Sequence, residues 1–323
     1  MKEAIEKIFA NKRVIKMVKI GIIGQEKDEH IKLLKKRIEE KGQKTIVIDF
    51  RGFPKEKKLY LTEKKIVYDN INLMDINVFY LRQLGYLFPI PPKEVSMKEW
   101  NKVYKRYMDF VTNERENLSL KHSLIRMLDE EKFVVNPYDS FMYHKLKPLQ
   151  LYVFMKNNLP VPSFIAGNDL GKIKKGKMIY KALGGGIHTS LVNKKFINEN
   201  KKTFRERPGL FQEYVKGKNI RVYAVGDEVI GAGELVSGSQ VDSRIEQKGV
   251  KVVELPEEVK EISIKAKNLL GMHFSGIDFM RTKKNEYYLL ECNPSPMFYG
   301  FEYMTKIPVS EKLAEYLIEN VKR

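Results

Sequence analysis

The chain of 323 residues has a single cysteine, Cys292, and a single tryptophan, Trp100. One thiol excludes a disulfide framework and fits a reducing cytoplasm. No apolar run approaches the length of a membrane span, and the N-terminus lacks the apolar core of a signal peptide. Gly21, Ile22, Ile23 and Gly24 lack the third glycine of a dinucleotide fingerprint, which argues against a nicotinamide site. The glycine run at 184–186 is followed by no Gly-Lys-Ser/Thr, so it is not a Walker loop. Internal repeats and low-complexity stretches are also missing.

What is abundant is positive charge. Lys and Arg number 59 against 41 Asp and Glu, a net +18, and 43% of residues are hydrophobic. That is enough apolar content for a large core or two to three domains. The basic surface favours acidic partners: nucleotides, polyglutamate tails, acidic proteins or nucleic acid. A lysine-rich proteome would produce the same excess.

Residues 1–16 read as a short amphipathic helix on Ile5, Ile8 and Phe9. Met17 to Ile23 reads as a strand, Asp28 to Lys41 as a helix on Ile31, Leu34 and Ile38, and Lys44 to Phe50 as a second strand. This β-α-β opening predicts a parallel, doubly wound layer. Further strands are expected at Ile66–Tyr68 and Asn77–Arg82. Pro89, Pro91 and Pro92 break the pattern, and Met97 to about Glu131 reads as a long helix. Its stripe of Trp100, Tyr104, Tyr107, Met108 and Val111 reads as core. A short strand at Phe133 stops at Pro137, and a helix over Leu146–Asn157 follows Lys145. Strands are then expected at 178–183, 210–215, 220–225, 228–236 and 250–255, a helix over Pro256–Leu270 and a last helix from Val309 to Lys322.

Chemistry concentrates in four places. Ser275–Met280 and Tyr287–Pro294 are two strand-like runs joined through Lys283, Lys284, Asn285 and Glu286, a hairpin pattern. Glu291 and Asn293 differ by two and share a strand face. With Asp278 they are oxygen donors of the kind that hold Mg²⁺ together with substrate phosphates; solvated acids on an outer face are the alternative. Lys181 ends a strand that runs into Gly184, Gly185 and Gly186, whose amides can approach an anion, although a Gly-rich turn would look the same. Leu210 to Val215 is an apolar strand turning at Lys216–Lys218, able to offer backbone edges to an adenine. Arg221 lies on a buried-looking strand and needs an anionic partner, either a structural carboxylate or a phosphate.

In order and spacing these segments resemble the ATP-grasp ligases, in particular the RimK-like branch, over roughly residues 133–323. The resemblance implies an α/β plus α+β molecule: an ATP-grasp fold behind an N-terminal doubly wound (pre-ATP-grasp) domain. It implies a helical extension at 1–16, a pre-ATP-grasp domain at 17–132, a small lid subdomain region at 133–215 and a C-terminal subdomain at 216–323 carrying the metal site. Lys145 and Lys181 would bind ATP phosphates beneath the loop Gly184–Gly186. Glu213, Tyr214 and Val215 would receive the adenine and Asn219 the ribose. Asp278, Glu291 and Asn293 would hold two Mg²⁺ ions, with Mn²⁺ as a substitute. Arg221 and Arg244 would face the reacting carboxylate.

Three departures stand out. Relatives commonly have an acid at the position of Asn219. The usual Asn-Ala-Ser-Pro-Gly ending is here Asn293-Pro294-Ser295-Pro296-Met297, followed by Phe298, Tyr299 and Gly300, which puts bulky apolar groups near the acceptor site. Lys145 follows His144 rather than an acid.

The implied activity is a cytoplasmic ATP-dependent carboxylate–amine ligase of the EC 6.3 type, acting through an acyl phosphate and plausibly adding an amino acid to an acidic acceptor. Cys292 then needs no catalytic role and reads as a core residue. An ATP-grasp kinase of small phosphorylated substrates, or a non-catalytic module for acidic partners, are the alternatives. No membrane partner is expected, nucleic acid is disfavoured, and homo-oligomers are common in the family.

Overall fold

In a computed structural model, the residues described are 18–84, 100–173, 176–183, 189–237 and 247–322. The expected helix over 1–16, the prolines at 89, 91 and 92, the glycines Gly184–Gly186 and Arg244 lie outside them.

The chain opens as β1 (Lys19–Ile23), α1 (Glu29–Glu40) and β2 (Lys44–Ile48), with β1 and β2 parallel. Asp28 caps α1 by accepting from the His30 amide at 2.8 Å, and Ile31, Leu34 and Ile38 are its buried face. A small antiparallel sheet comes next, β3 (Leu59–Leu61), β4 (Ile66–Tyr68) and β5 (Ile71–Asn72); of these the sequence pattern revealed only β4. Beyond it are β6 (Val78–Leu81), every residue buried, α2 (Trp100–Glu131) and β7 (Phe133–Val135). The parallel sheet reads β2-β1-β6-β7. A central strand covered on both faces, such as β6, reads as a near-continuous apolar run.

Two expectations are corrected here. Within the stripe expected to be core on α2, Val111 is buried but Met108 is exposed. The side chains of Trp100 and Tyr104 lie outside the description. The core residues of α2 are instead Leu124, Ile125 and Leu128, because its C-terminal end is the part packed in the core cluster around Phe79 and Leu81. The strand at Phe133, grouped from the sequence with the lid segment C-terminal to it, pairs in parallel with β6 and completes the N-terminal sheet.

The middle of the chain gives α3 (Tyr138–Lys145), which the sequence reading lacked, and α4 (Lys147–Lys156). Pro148 near the start of α4 suits a helix N-terminus, where its missing N–H costs nothing. An antiparallel sheet β10-β9-β11-β8 is built from β8 (Phe164–Gly167), β9 (Met178–Lys181), β10 (Ser190–Leu191) and β11 (Gly209–Glu213). Helix α5 (Lys194–Glu206) joins it through Ile197 and Phe204, which meet Tyr180 and Phe211.

The largest sheet, order β14-β13-β12-β15-β16, contains β12 (Lys218–Val225), β13 (Glu228–Ser237), β14 (Gln247–Val253), β15 (Phe274–Arg281) and β16 (Tyr287–Asn293). Helix α6 (Glu257–Leu269) covers one face with Val259 and Ala266, against Ile220, Val222 and Ile277. The chain ends in α7 (Tyr299–Thr305) and α8 (Val309–Glu319).

The N-terminal layer and the large sheet share one core. Leu313, Ala314 and Leu317 of α8 cluster with Ile20, Ile22, Ile31 and Leu34, and with Tyr223, Phe274 and Phe298. Polar ties reinforce the junction. Fully buried Asn136 donates through Nδ2 to the carbonyls of Phe274 and Pro294, both at 2.6 Å. Its Oδ1 accepts from the amides of His273 and Phe274 at 2.6 and 2.8 Å. Arg82 donates to Asp28 (3.1 Å), to the Ser295 carbonyl (2.8 Å) and to the Ser295 hydroxyl (2.6 Å), while that hydroxyl donates back to the Arg82 carbonyl.

Candidate active site

The β15–β16 hairpin sets the geometry. Asn285 sits at φ 61°, a conformation asparagine tolerates, and Thr282 Oγ1 accepts from the amides of Lys284 and Glu286. The resulting register places Asp278 opposite Glu291 and Gly276 opposite Asn293. The three oxygen-bearing side chains therefore lie on one face. Cys292 points the other way, fully buried, and burial pushes its thiol up, away from the reactive thiolate. Gly276 is required by close approach, because a Cβ there would fall 2.5 Å from Pro296.

Each carboxylate has a cation. Arg221 on β12 is directly across from Asp278 and donates to both its oxygens, at 2.5 and 2.9 Å. Burial alone would lower the Arg221 pKa, but Asp278 more than offsets it and holds the guanidinium charged. Lys147, the first residue of α4, is ion-paired with Glu291. Its placement is fixed by Gln150, one turn later. That side chain donates to the Cys292 carbonyl (3.0 Å) and accepts from the Cys292 amide (2.8 Å), pinning α4 to β16. Burial would raise Glu291, yet Lys147 and then Lys181 hold it well below the usual carboxylate range.

These groups line a cavity of about 650 Å³. Lys181, Glu213, Tyr214, Val215, Asn219, Arg221, Asp278, Glu291 and Asn293, all expected from the sequence, are brought together in it. Lys145, at the last position of α3, is not among its described lining residues; Lys147 is. Sequence reasoning also missed three others. Gln212, on β11, is 1% exposed, and neither its amide oxygen nor its nitrogen has a partner among the described residues. His144 is lowered by burial. His30 accepts the amides of Phe298 and Tyr299 on Nδ1 at 3.1 and 3.0 Å, and burial and then Arg82 lower it to about 4, which keeps the imidazole neutral. A glutamine inside the apolar run Leu210-Phe211-Gln212 was the available signal for the first. The lysine beside a helix-starting proline was the signal for Lys147.

The region from the glycine run to α8 matches a family model described as the RimK-like ATP-grasp domain, over residues 186–317. The solved ATP-grasp ligase PsnB, complexed with a phosphomimetic variant of its minimal precursor, Mg and ADP, superposes with a TM-score of 0.79. It is 27% identical, and the match covers 94% of this chain and 98% of that one. Residues 186–317 form a RimK-like ATP-grasp domain, and the chain as a whole has the fold of the ATP-grasp ligases.

Among curated relatives, the chain is 27% identical to the tetrahydromethanopterin:alpha-L-glutamate ligase of Methanocaldococcus jannaschii, over 68% of this chain and 84% of that one. The macrocyclase MdnC of Microcystis aeruginosa, bound with precursor peptide MdnA, shares the fold at a TM-score of 0.72 and 22% identity, over 93% of this chain and 99% of that one. ATP-grasp ligases use ATP with Mg²⁺. Asp278, Glu291 and Asn293 fit such an ion, since all three offer hard oxygen donors. The set has only two carboxylates, and no group of three His, Cys, Asp or Glu able to hold a metal occurs among the described residues. Mg²⁺ is usually bound by one or two carboxylates and takes its remaining ligands from substrate phosphates and water. No helix among the described residues is long and apolar enough to cross a membrane.

Proposed function

We propose that this ligase activates the carboxylate of an acidic acceptor with ATP and joins it to the amine of an amino acid. One observation carries the assignment of roles: the face bearing Asp278, Glu291 and Asn293 opens onto the same cavity as Lys147, Lys181 and Arg221. Adenine would lie against Glu213, Tyr214 and Val215, with the Gln212 amide, which has no partner among the described residues, supplying both a donor and an acceptor. Asn219 would take the ribose. Lys147 and Lys181 would hold the phosphates, with Gly184–Gly186 as their cover and Arg244 near the reacting carboxylate on grounds of the resemblance. Lys145 is a weaker candidate for the phosphate role.

An oxygen of the acceptor carboxylate attacks the γ-phosphorus, the bond to the β-phosphate oxygen breaks, and ADP leaves. The amine nitrogen then attacks the acyl carbon, phosphate departs with the carbon–oxygen bond pair, and the nitrogen loses a proton. Lys147, Lys181 and Arg221 supply fixed positive charge where phosphoryl oxygens gain negative charge. Mg²⁺, two ions in our reading and replaceable by Mn²⁺, would neutralise the triphosphate when held by Asp278, Glu291 and Asn293. Within the region 133–215, the β8–β11 sheet with α5 would act as the lid over 216–323, excluding water from the acyl phosphate. A net charge of +18 favours acidic acceptors, and a lone buried thiol suits the cytoplasm. Glutamate is the first amine to try, because a relative is named as an α-L-glutamate ligase.

The test is a screen of acids and amino acids for ADP release, with mass spectrometry of the product. Amide formation that needs both substrates and is abolished in Glu291→Ala and Lys181→Ala, with circular dichroism unchanged, supports the reading. Amine-independent phosphorylation of a hydroxyl, or full turnover in either variant, sinks it.

A further inference from the structure

The N-terminal layer reaches the cavity at one residue. In the sheet order β2-β1-β6-β7 the chain builds first on one side of β1 and then on the other. The crevice outside the carboxyl ends of β1 and β6 is therefore where an open sheet of this kind takes a ligand. Arg82, just after β6, donates there to the carbonyls of Ser295 and Pro296 at 2.8 and 3.3 Å. Tyr223 on β12 donates to the next carbonyl, that of Met297. His30 on α1 takes the amides of Phe298 and Tyr299, and it is the one described residue before His144 that lines the cavity. Its two ring nitrogens have different duties. Because Nδ1 accepts two N–H groups, at 3.1 and 3.0 Å, its lone pair is occupied and the neutral ring carries its proton on Nε2. A second proton, placed on Nδ1, would break both bonds, so the same geometry keeps the ring uncharged. Phe298 stands edge-on to the imidazole, 4.8 Å between centroids, and fixes its plane. The ring is only partly buried, and Nε2–H has no hydrogen-bond partner among the described residues.

We propose that His30 is a specificity-determining residue of the acceptor site: its Nε2–H donates to an uncharged carbonyl oxygen carried near the acid, as in an N-acylated or peptide-linked amino acid. This rests on the reading of the site as one that activates a carboxylate, which would lie at Arg221. The two residues share a wall, since Tyr223 is two positions along β12 from Arg221 and grips Met297, directly before Phe298. The surroundings of His30 favour a neutral partner. The charged groups that reach its ring are Arg82, Asp28 and Glu29. Arg82 is itself paired with Asp28, and Glu29 with Lys32, so no unbalanced cation stands beside Nε2 to draw a second carboxylate. An amide carbonyl, with two lone pairs and no charge, is the complement of that N–H.

Glutarate and N-acetyl-L-glutamate form a matched pair of probes: the same diacid chain, without and with an acetamido carbonyl. Binding is measured by calorimetry on the full chain with ADP and Mg²⁺ present. N-acetyl-L-glutamate is expected to bind roughly tenfold more tightly, the scale of one hydrogen bond between neutral groups. In His30→Asn the side-chain oxygen can still accept the two amides where Nδ1 did, but the Nε2–H is gone. That variant is expected to bring the ratio near one, with ADP and glutarate affinities within about twofold and the urea midpoint unchanged. The unaltered protein gives a second reading, by NMR of isotope-labelled histidine. N-acetyl-L-glutamate is expected to shift the Nε2 signal of His30, and glutarate to leave it in place. N-acetyl-L-glutamate that binds no better than glutarate, a ratio that survives in His30→Asn, or an unmoved Nε2 signal overturns the assignment. Acyl phosphate is trapped separately with hydroxylamine, whose nitrogen displaces phosphate to give a hydroxamate. A preference that depends on His30 but gives no hydroxamate keeps the contact and counts against the acyl-phosphate step instead.

Discussion

Lys147 on α4 is ion-paired with Glu291 on β16, and both side chains line the cavity. Lys145, two residues earlier, has the helix-leading position that the family resemblance favours, but it closes α3 outside the described lining. Lys147→Ala is therefore expected to reduce kcat/KM for ATP by about a hundredfold, the scale of losing one charge-stabilising donor. Lys145→Ala should cost less than about tenfold. Steady-state ADP release decides, and a reversed order of the two effects would return the phosphate role to Lys145.

Gln212 sets stability against binding. A buried amide with no partner among the described residues costs the folded state, so Gln212→Met should raise stability without nucleotide by about 1–2 kcal/mol. The same change should weaken ATP binding by roughly tenfold, since two hydrogen-bonding groups are lost. Urea unfolding and nucleotide titration measure the two effects. A destabilised variant that binds ATP as well as the parent contradicts the assignment.

Asn136 satisfies four backbone groups at the junction of β7, β15 and the segment after β16. Asn136→Ala leaves them buried without that partner and is expected to cost about 3–5 kcal/mol. The loss should appear in urea denaturation as a lower midpoint with an unchanged slope. A loss under about 1 kcal/mol would mean that water replaces the side chain.

Lys267 carries a pH dependence. Its side chain is 2% exposed, and the ammonium donates to the Met272 carbonyl at 3.1 Å and to Asn268 Oδ1 at 2.5 Å. Burial lowers its pKa from 10.5 to about 8. Between those values the unfolded chain holds the proton and the folded one releases it, so stability rises with pH across that window. The gain is about 3 kcal/mol over the full interval. Lys267→Met removes this component, and the stability difference between the two proteins should change by that amount from pH 8 to 10.5. A constant difference refutes it.

Much of this molecule was legible in the sequence because its signals are local. The alternation that pairs Glu291 with Asn293, the break at Lys283–Glu286 and the periodicity of Ile31, Leu34 and Ile38 depend on neighbours along the chain, and the structure has each of them. What escaped depends on distant contacts. Phe133–Val135 is three apolar residues, and nothing in them says that their edge partner is β6. Met108 belongs to a helical stripe, yet the packing of α2 leaves it exposed. Lys147 reaches Glu291 because Gln150 fastens α4 to β16, a tie between residues 142 positions apart. The capping of the α7 amides by His30 joins residues still farther apart.

Since β7 completes the parallel sheet from its far edge and α8 returns from the chain's other end to cover α1, a single cut cannot separate the two layers. A protein begun at residue 133 would leave β7 without β6 and bare the apolar side of α8, and one stopped before Val309 would expose Ile31 and Leu34. Exchange of either layer between relatives by recombination would thus have to carry over noncontiguous segments together.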